Sequence, residues 1–187
     1  MRVIGGNLKG KKILNPTDKS TRPLKDMVRE SIFNIIKHSK NEYVELNKAK
    51  VLDLFSGTGS FGIECLSRGA EKVTFYENYT NSIKILKKNL NLLKLNKQST
   101  IIEKNAYSIS KPHLNLLKFD LIFLDPPFKD NKLNQLIEKI KKMKISSKST
   151  LIVIHRNKKI SENISKDIII TKEKNYGLSK IIFGKIY

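Results

Sequence analysis

The stretch Val51-Leu52-Asp53-Leu54-Phe55-Ser56-Gly57-Thr58-Gly59-Ser60-Phe61-Gly62 decides the fold. Residues 51–55 are an apolar run of strand length, and 61–68 read as a helix. The glycines at their junction let the chain turn tightly and bring its backbone against a ligand. The same alternation continues downstream. Strand 72–76 precedes helix 81–95, whose Ile83, Leu86, Leu90 and Leu93 share one face. Strand 100–103, a weak helix near 108–117, strand 119–124 and helix 133–143 follow. Strands 150–155, 168–171 and 181–187 close the chain. Strand-then-helix order predicts an α/β fold, a parallel sheet with helices on both faces. The last two strands have little helix between them, which predicts an antiparallel pair at one end of the sheet.

Upstream the texture changes. Short strands at 2–4 and 11–14 surround Gly5-Gly6 and Gly10. Turn-rich Asn15-Pro16-Thr17-Asp18 and Arg22-Pro23 come next. An amphipathic helix at 24–37 carries Met27, Val28, Ile32, Ile35 and Ile36 near helical spacing. The expected division is an extension at 1–45 and a main domain at 46–187.

The 187 residues suit one ordinary domain, and 39% hydrophobic residues can build its core. The charge is lopsided, with 37 Lys+Arg against 17 Asp+Glu and a formal net charge of +20. Such an excess predicts a polyanionic partner, nucleic acid ahead of membrane. Compositional drift toward Lys, Ile and Asn is a second source of it. One cysteine, Cys65, excludes an internal disulfide and a cysteine-based zinc site, and its place on the helix after the loop predicts burial. His38, His113 and His155 are scattered, so no metal is expected. No apolar run approaches the roughly 20 residues of a membrane span, and the N-terminus has no signal-peptide core. A cytoplasmic monomer without a membrane partner is the expectation.

The pattern G-x-G-x-x-G is present at Gly57, Gly59 and Gly62, and Glu77 ends the next strand. A carboxylate there accepts hydrogen bonds from ribose hydroxyls, which suits a dinucleotide site. Two features tilt the reading toward S-adenosyl-L-methionine. Asp53, just before the glycines, would repel a pyrophosphate and suits the positively charged amino-acid end of that cofactor. The second is Asp125-Pro126-Pro127-Phe128, which ends an apolar strand. Two prolines fix φ twice and give a rigid corner, expected to turn its carbonyls outward. Ligands of open parallel sheets sit beyond the C-terminal strand ends. If strands one and four are neighbours, Asp125 lies near Gly57. An exocyclic purine amine is a poor nucleophile. Asp125 and the Pro126 carbonyl can accept its two N–H groups, and Phe128 can stack on an extruded base. The bland alternatives are a tight strand-to-helix turn and an Asp-Pro strand end.

Asp53 with Gly57-x-Gly59 and Asp125-Pro126-Pro127-Phe128 resembles class I amino-methyltransferases. Arg2-Val3-Ile4-Gly5-Gly6, Arg22-Pro23 and Val28-Arg29-Glu30-Ser31-Ile32-Phe33-Asn34 are similar to the bacterial RsmD family. So are 52–59 and Tyr176-Gly177, and the resemblance runs from residue 2 almost to the C-terminus. It implies a Rossmann-like class I methyltransferase fold, a seven-stranded, mostly parallel sheet with a small N-terminal extension. It also implies methyl transfer from S-adenosyl-L-methionine to guanine N2 of 16S ribosomal RNA, free or in the small ribosomal subunit particle. Position by position, Phe55, Gly57 and Gly59 would line the cofactor pocket, and Asp53 would serve the amino-acid end. Glu77, beside Asn78, would hold the ribose, and Asn105 with Ala106 would face the adenine. Asp125, Pro126, Pro127 and Phe128 would form the target-base corner. Asn78 stands where an Asp is frequent in the family, and Leu24 where a Thr is usual.

Arg2, Lys9, Lys11, Lys12, Arg22, Lys25 and Arg29 cluster in the extension and are expected to grip phosphates beside the cleft. Lys139, Lys141, Lys142 and Lys144 read as a solvated helix face. His155 reads as a core or surface histidine, since the chemistry needs none. Competing readings are an adenine-N6 DNA or RNA methyltransferase, a protein-glutamine methyltransferase and a non-enzymatic RNA-binding module. The first usually needs a target-recognition region for which this chain has no length. The charge of +20 argues against the second. An intact Asp125 and glycine loop argue against the third.

Overall fold

The computed structural model describes residues 1–16, 24–114, 118–160 and 163–186. Its elements in chain order are α1 (Asp26–His38), β1 (Lys50–Leu54), α2 (Ser60–Ser67), β2 (Lys72–Tyr76), α3 (Thr80–Leu92), β3 (Ser99–Ile102), β4 (Leu121–Leu124), α4 (Leu133–Met143), β5 (Leu151–Asn157), β6 (Ile169–Tyr176) and β7 (Ser179–Lys185). The seven strands form one sheet in the order β3-β2-β1-β4-β5-β7-β6. Strands β1 to β5 pair in parallel, and β7 runs antiparallel between β5 and β6. The expected α/β fold and its antiparallel end are both present.

The central strands are buried on both faces and so read as mostly apolar runs. Successive side chains enter opposite cores. Val51, Leu121, Phe123, Leu151 and Val153 join α1, α2 and α3 on one side. Leu52, Leu54, Ile122, Leu124, Ile152 and Ile154 join α4 on the other. Phe61 of α2 stacks between Phe33 and Phe123 at centroid distances of 5.1 and 3.9 Å. That stack fixes α2, and with it the glycine loop, on β1 and β4.

Three local expectations change. In place of the weak helix near 108–117 stand two 3-10 turns, Ala106–Ser108 and Lys111–Leu114, because Pro112 lacks the N–H a longer helix needs, while residues 115–117 lie outside the described residues. Helix α3 stops at Leu92 as Lys94 turns left-handed (φ 58°) and Leu95 N–H bonds back to the Leu90 carbonyl at 2.8 Å. Strand β6 runs on to Tyr176 although its sequence is polar and its residues largely exposed. Pairing with β7 holds it, a contribution that periodicity does not display.

The extension is a small hairpin. Its two expected strands reduce to one bridge, Arg2 with Lys12, flanked by Val3 N–H to Lys11 O and Ile13 N–H to Met1 O, both 2.9 Å. Buried Glu64 of α2 accepts from the N–H groups of Ile4 (2.8 Å) and Gly5 (2.7 Å) and pairs with Arg68 at 2.8 Å. Ser67 Oγ donates to the Gly5 carbonyl and accepts from Leu8 N–H. Val3, Ile13, Val28, Ile32 and Phe33 belong to the same core as the sheet. The described residues of the segment 1–45 are therefore packed and hydrogen-bonded to the rest.

Among the described residues, no helix is long and apolar enough to cross a membrane. No group of His, Cys, Asp or Glu that could hold a metal occurs among them.

Candidate active site

The order β2-β1-β4 places the loops that follow these strands side by side at one edge. Leu54 pairs with both Tyr76 and Leu124, so Phe55, Glu77 and Asp125 are the next residues of three adjacent strands. Asp125 N–H donates to the Leu54 carbonyl at 3.3 Å, and Ser56 N–H to the Tyr76 carbonyl at 3.0 Å.

Phe55 and Gly57 have left-handed backbones, φ 63° and 55°, and so does Gly59 at 84°, just before α2. Strain at a non-glycine residue such as Phe55 persists only where the surroundings enforce it. A side chain at Gly59 would be strained by the left-handed backbone, and its Cβ, 2.4 Å from Leu86 Cδ1, would force the buried Leu86 side chain to shift. Gly57 faces open space, where a Cβ would have no neighbour within 4 Å. Open space on one side of the loop is what close approach of a ligand to backbone needs.

Three carboxylates converge here. Asp53 is buried, and its Oδ2 accepts from Gly62 N–H at 3.0 Å. Burial pushes its carboxyl well above the usual carboxylate range, against the pull of the Gly62 bond, and the charges of Asp125 and Glu77 add to the push. Glu77 Oε2 accepts from Gly57 N–H at 2.6 Å. Its Oε1 accepts from Asn78 N–H at 2.9 Å and Tyr79 N–H at 2.8 Å. A site that concentrates carboxylates at the ends of three adjacent strands is matched to a cation. Asn105 caps the turn at Ala106–Ser108 by accepting from Tyr107 N–H at 2.9 Å. Glu77 N–H donates to the Ile102 carbonyl at 3.2 Å, which sets the end of β2 beside β3 and the turn that follows it. Phe55 packs edge-on against Tyr107 at 5.2 Å. Asp53, Phe55, Gly57, Gly59, Glu77, Asn78, Asn105 and Ala106 thus line one edge, around strands β1 to β3.

Asp125 follows directly on β4, its side chain 21% exposed. Its Oδ1 meets His155 Nδ1 at 2.8 Å, and His155 Nε2 meets Ser179 Oγ at 2.9 Å. Phe128 lies edge-on to His155 at 5.4 Å. The corner corrects one expectation. The Pro127 carbonyl does not point outward but accepts from Arg156 Nη1 at 3.1 Å. Buried Arg156 also holds the carbonyls of Phe128 (3.4 Å) and Asp130 (3.0 Å).

The basic residues divide. Arg2, Lys9, Lys11 and Lys12 are exposed, while Arg22 lies outside the described residues. Lys9 stands apart in the turn held by Ser67, at the end of α2 opposite the glycine loop. Arg29 is a correction. It is fully buried, bonding the Arg2 carbonyl and Asp26 (3.1 Å) with Nε 3.9 Å from Glu64 Oε2, so it presents no charge to a phosphate. Its place in an amphipathic helix beside Val28 and Ile32 was the available signal. Lys139 is not simply solvated either, since its Nζ donates to the Tyr107 carbonyl at 2.9 Å.

Arg156 and Asn89 are residues sequence reasoning passed over, and His155, read as a core or surface histidine, is buried as a core residue but in contact with Asp125. Asn89 of α3 donates to the carbonyls of Thr58 (3.0 Å) and Leu14 (3.1 Å), joining the glycine loop to the extension. A polar His-Arg pair ending an apolar strand was the readable sign for the other two. Ile154 pairs with Leu124, so the next residue, His155, stands beside Asp125.

A family model described as conserved hypothetical protein 95 matches residues 1–185. Ribosomal RNA small subunit methyltransferase D of Haemophilus influenzae is 33% identical over 179 residues, covering 95% of this chain and 90% of the relative. YlbH of Bacillus subtilis is 34% identical over 191 residues, covering 99% and 98%. The solved structure of yhhF from Escherichia coli superimposes with a TM-score of 0.81 at 26% identity, covering 100% of this chain and 97% of that one.

Proposed function

The chain belongs to the conserved hypothetical protein 95 family, and from that membership and the site we propose that it methylates small-subunit ribosomal RNA at the exocyclic N2 of a guanine, with S-adenosyl-L-methionine as donor. One observation carries this reading: the glycine loop after β1 and the Asp125-Pro126-Pro127-Phe128 corner after β4 emerge from adjacent, in-register strands.

The residues fit the donor. Its ammonium and sulfonium groups suit the acidic cluster of Asp53, Glu77 and Asp125, and Gly57 leaves open space beside the loop. Phe55 and Gly59 complete the loop, Glu77 beside Asn78 takes the ribose, and Asn105 with Ala106 the adenine. When bound, the cofactor supplies an electrophilic methyl group. The chain's own residues do the rest. Asp125 and the Pro126 carbonyl accept the guanine N–H groups, which orients the amine and favours positive charge building on it. Phe128 stacks on the flipped base. Asp125 receives the proton the amine loses once it has been methylated.

The protein incubated with labelled cofactor and small-subunit RNA or particles, followed by nucleoside analysis, tests the reading. N2-methylguanosine is expected. N6-methyladenosine would replace the base assignment, and no transfer to either substrate would refute it.

Asp53 yields a stability prediction with opposite signs for fold and ligand. Its raised folded-state pKa means that the fold disfavours the charged form. That penalty is absent below the unfolded pKa and complete above the raised folded one. Asp53→Asn keeps an acceptor for Gly62 N–H and removes the charge. The free protein should therefore melt higher than the wild type at a pH above the raised folded pKa, with the difference vanishing below the unfolded one. Cofactor affinity should fall roughly tenfold or more. Thermal melts with and without cofactor check both.

The exposed bases of the extension grip phosphates in this account. Replacing Arg2, Lys11 and Lys12 with Glu should weaken RNA binding and lower the slope of log K against log salt by about 0.7–0.9 per lost contact. Lys9→Glu, at the far end of α2, should do less. Filter binding across a salt series reads both.

A further inference from the structure

We infer that His155 is a positioning residue: held from behind by Ser179, it fixes the carboxylate of Asp125 for the acceptor base. The inference rests on the role given to Asp125 above. A carboxylate only accepts, so His155 Nδ1 carries the proton and donates to Asp125 Oδ1 at 2.8 Å. Its Nε2 then accepts from the Ser179 hydroxyl at 2.9 Å. This arrangement needs no charge on the imidazole. It ties up one oxygen of Asp125 and leaves Oδ2 for the substrate.

The anchors behind His155 are firm. It belongs to β5, paired with β7 from Ile152 to Asn157, and its register partner is Ile181. Ser179 opens β7 directly after the turn at Gly177, whose φ is +59°. Tyr176, before that turn, bonds through its hydroxyl to Ser31 of α1, and Lys158 N–H donates to the Leu178 carbonyl at 2.8 Å. The β6-β7 turn is therefore tied to α1 and β5 and holds Ser179 in place. His155 is buried and also supports the ring of Phe128 edge-on at 5.4 Å. One imidazole thus touches both the carboxylate and the aromatic side chain assigned to the target base. Without it, a partly exposed carboxylate at a strand end would turn freely. Misplacement of a reacting group by about 1 Å can cost about 10²-fold in rate.

His155→Leu should lower kcat about 10–100-fold, with KM for RNA and affinity for S-adenosylhomocysteine within about twofold of wild type. His155→Asn places an N–H near the lost Nδ1–H and should restore kcat to within about fivefold. Ser179→Ala, a milder change, should lower kcat about threefold to tenfold and serves if His155→Leu fails to fold. Wild-type turnover by His155→Leu, or equal losses in the Leu and Asn variants, would overturn the inference. Nitrogen-15 spectra of the imidazole give a readout independent of turnover. The Nδ1–H tautomer should dominate in the wild type and decline in Asp125→Ala. A spectrum indifferent to Asp125 would overturn the inference. If the wild type methylates no RNA, the proposed function falls and the spectra alone decide for or against His155.

Discussion

Asp125→Ala is expected to lower methyl transfer by about 10²–10³-fold while S-adenosylhomocysteine still binds within about threefold of its wild-type affinity. Asp125 is the one carboxylate of the site that follows β4, outside the glycine loop and the end of β2 that the cofactor occupies in this account. The ammonium end of the ligand keeps Asp53, its ribose keeps Glu77, and the sulfur of S-adenosylhomocysteine carries no charge for Asp125 to attract. The amine of the base has no comparable substitute for its acceptor. The Pro127 carbonyl is already engaged by Arg156. Kinetics on small-subunit RNA together with ligand titration separate the two effects. Equal loss of binding and turnover would move Asp125 into the cofactor pocket and contradict its assignment to the base.

The second large effect is on stability. Glu64→Ala should cost about 3–5 kcal/mol and lower the melting temperature by about 10 °C. Glu64 is fully buried and accepts from Ile4 N–H, Gly5 N–H and Arg68 Nε. Arg29 is also fully buried, with Nε 3.9 Å away. Burial holds the Arg29 guanidinium below its ordinary pKa, and Glu64 and Asp26 oppose that pull. Removing Glu64 leaves that charge in the core with only Asp26 nearby and strands two amides of the hairpin. The hairpin carries Arg2, Lys11 and Lys12, so RNA affinity should fall along with stability. Urea unfolding and RNA binding at a temperature where the variant stays folded measure the two. A variant as stable as the wild type would show that the network does not hold the extension.

The sheet was readable because each central strand is a mostly apolar run closed by a polar or glycine signal. Asp53, Glu77 and Asp125 were readable for the same reason: each is a charge inside or directly after such a run, at a spot where a carboxylate is costly unless used. Partners supplied from distant elements were not readable. His155 reaches Asp125 only because β5 pairs with β4 in a register that puts Ile154 against Leu124. Arg156 grips a loop 26–29 residues upstream, and Asn89 joins α3 to a hairpin 75 residues away. Arg29 shows the opposite error. A basic residue counted toward a charged surface is enclosed, because Glu64, Asp26 and the Arg2 carbonyl together offset the cost of burying it. Net charge reports how many basic groups a chain has, whereas packing decides which of them face a partner.

A crystal structure of the full chain with S-adenosylhomocysteine tests most directly whether the two loops share one reaction space. The account predicts the amino-acid end of the ligand beside Asp53 and Gly57 to Gly59, its ribose on Glu77, and its sulfur turned toward Asp125 and Phe128. A ligand seated away from the β1-β4 edge, or with its sulfur facing away from Asp125, would contradict it.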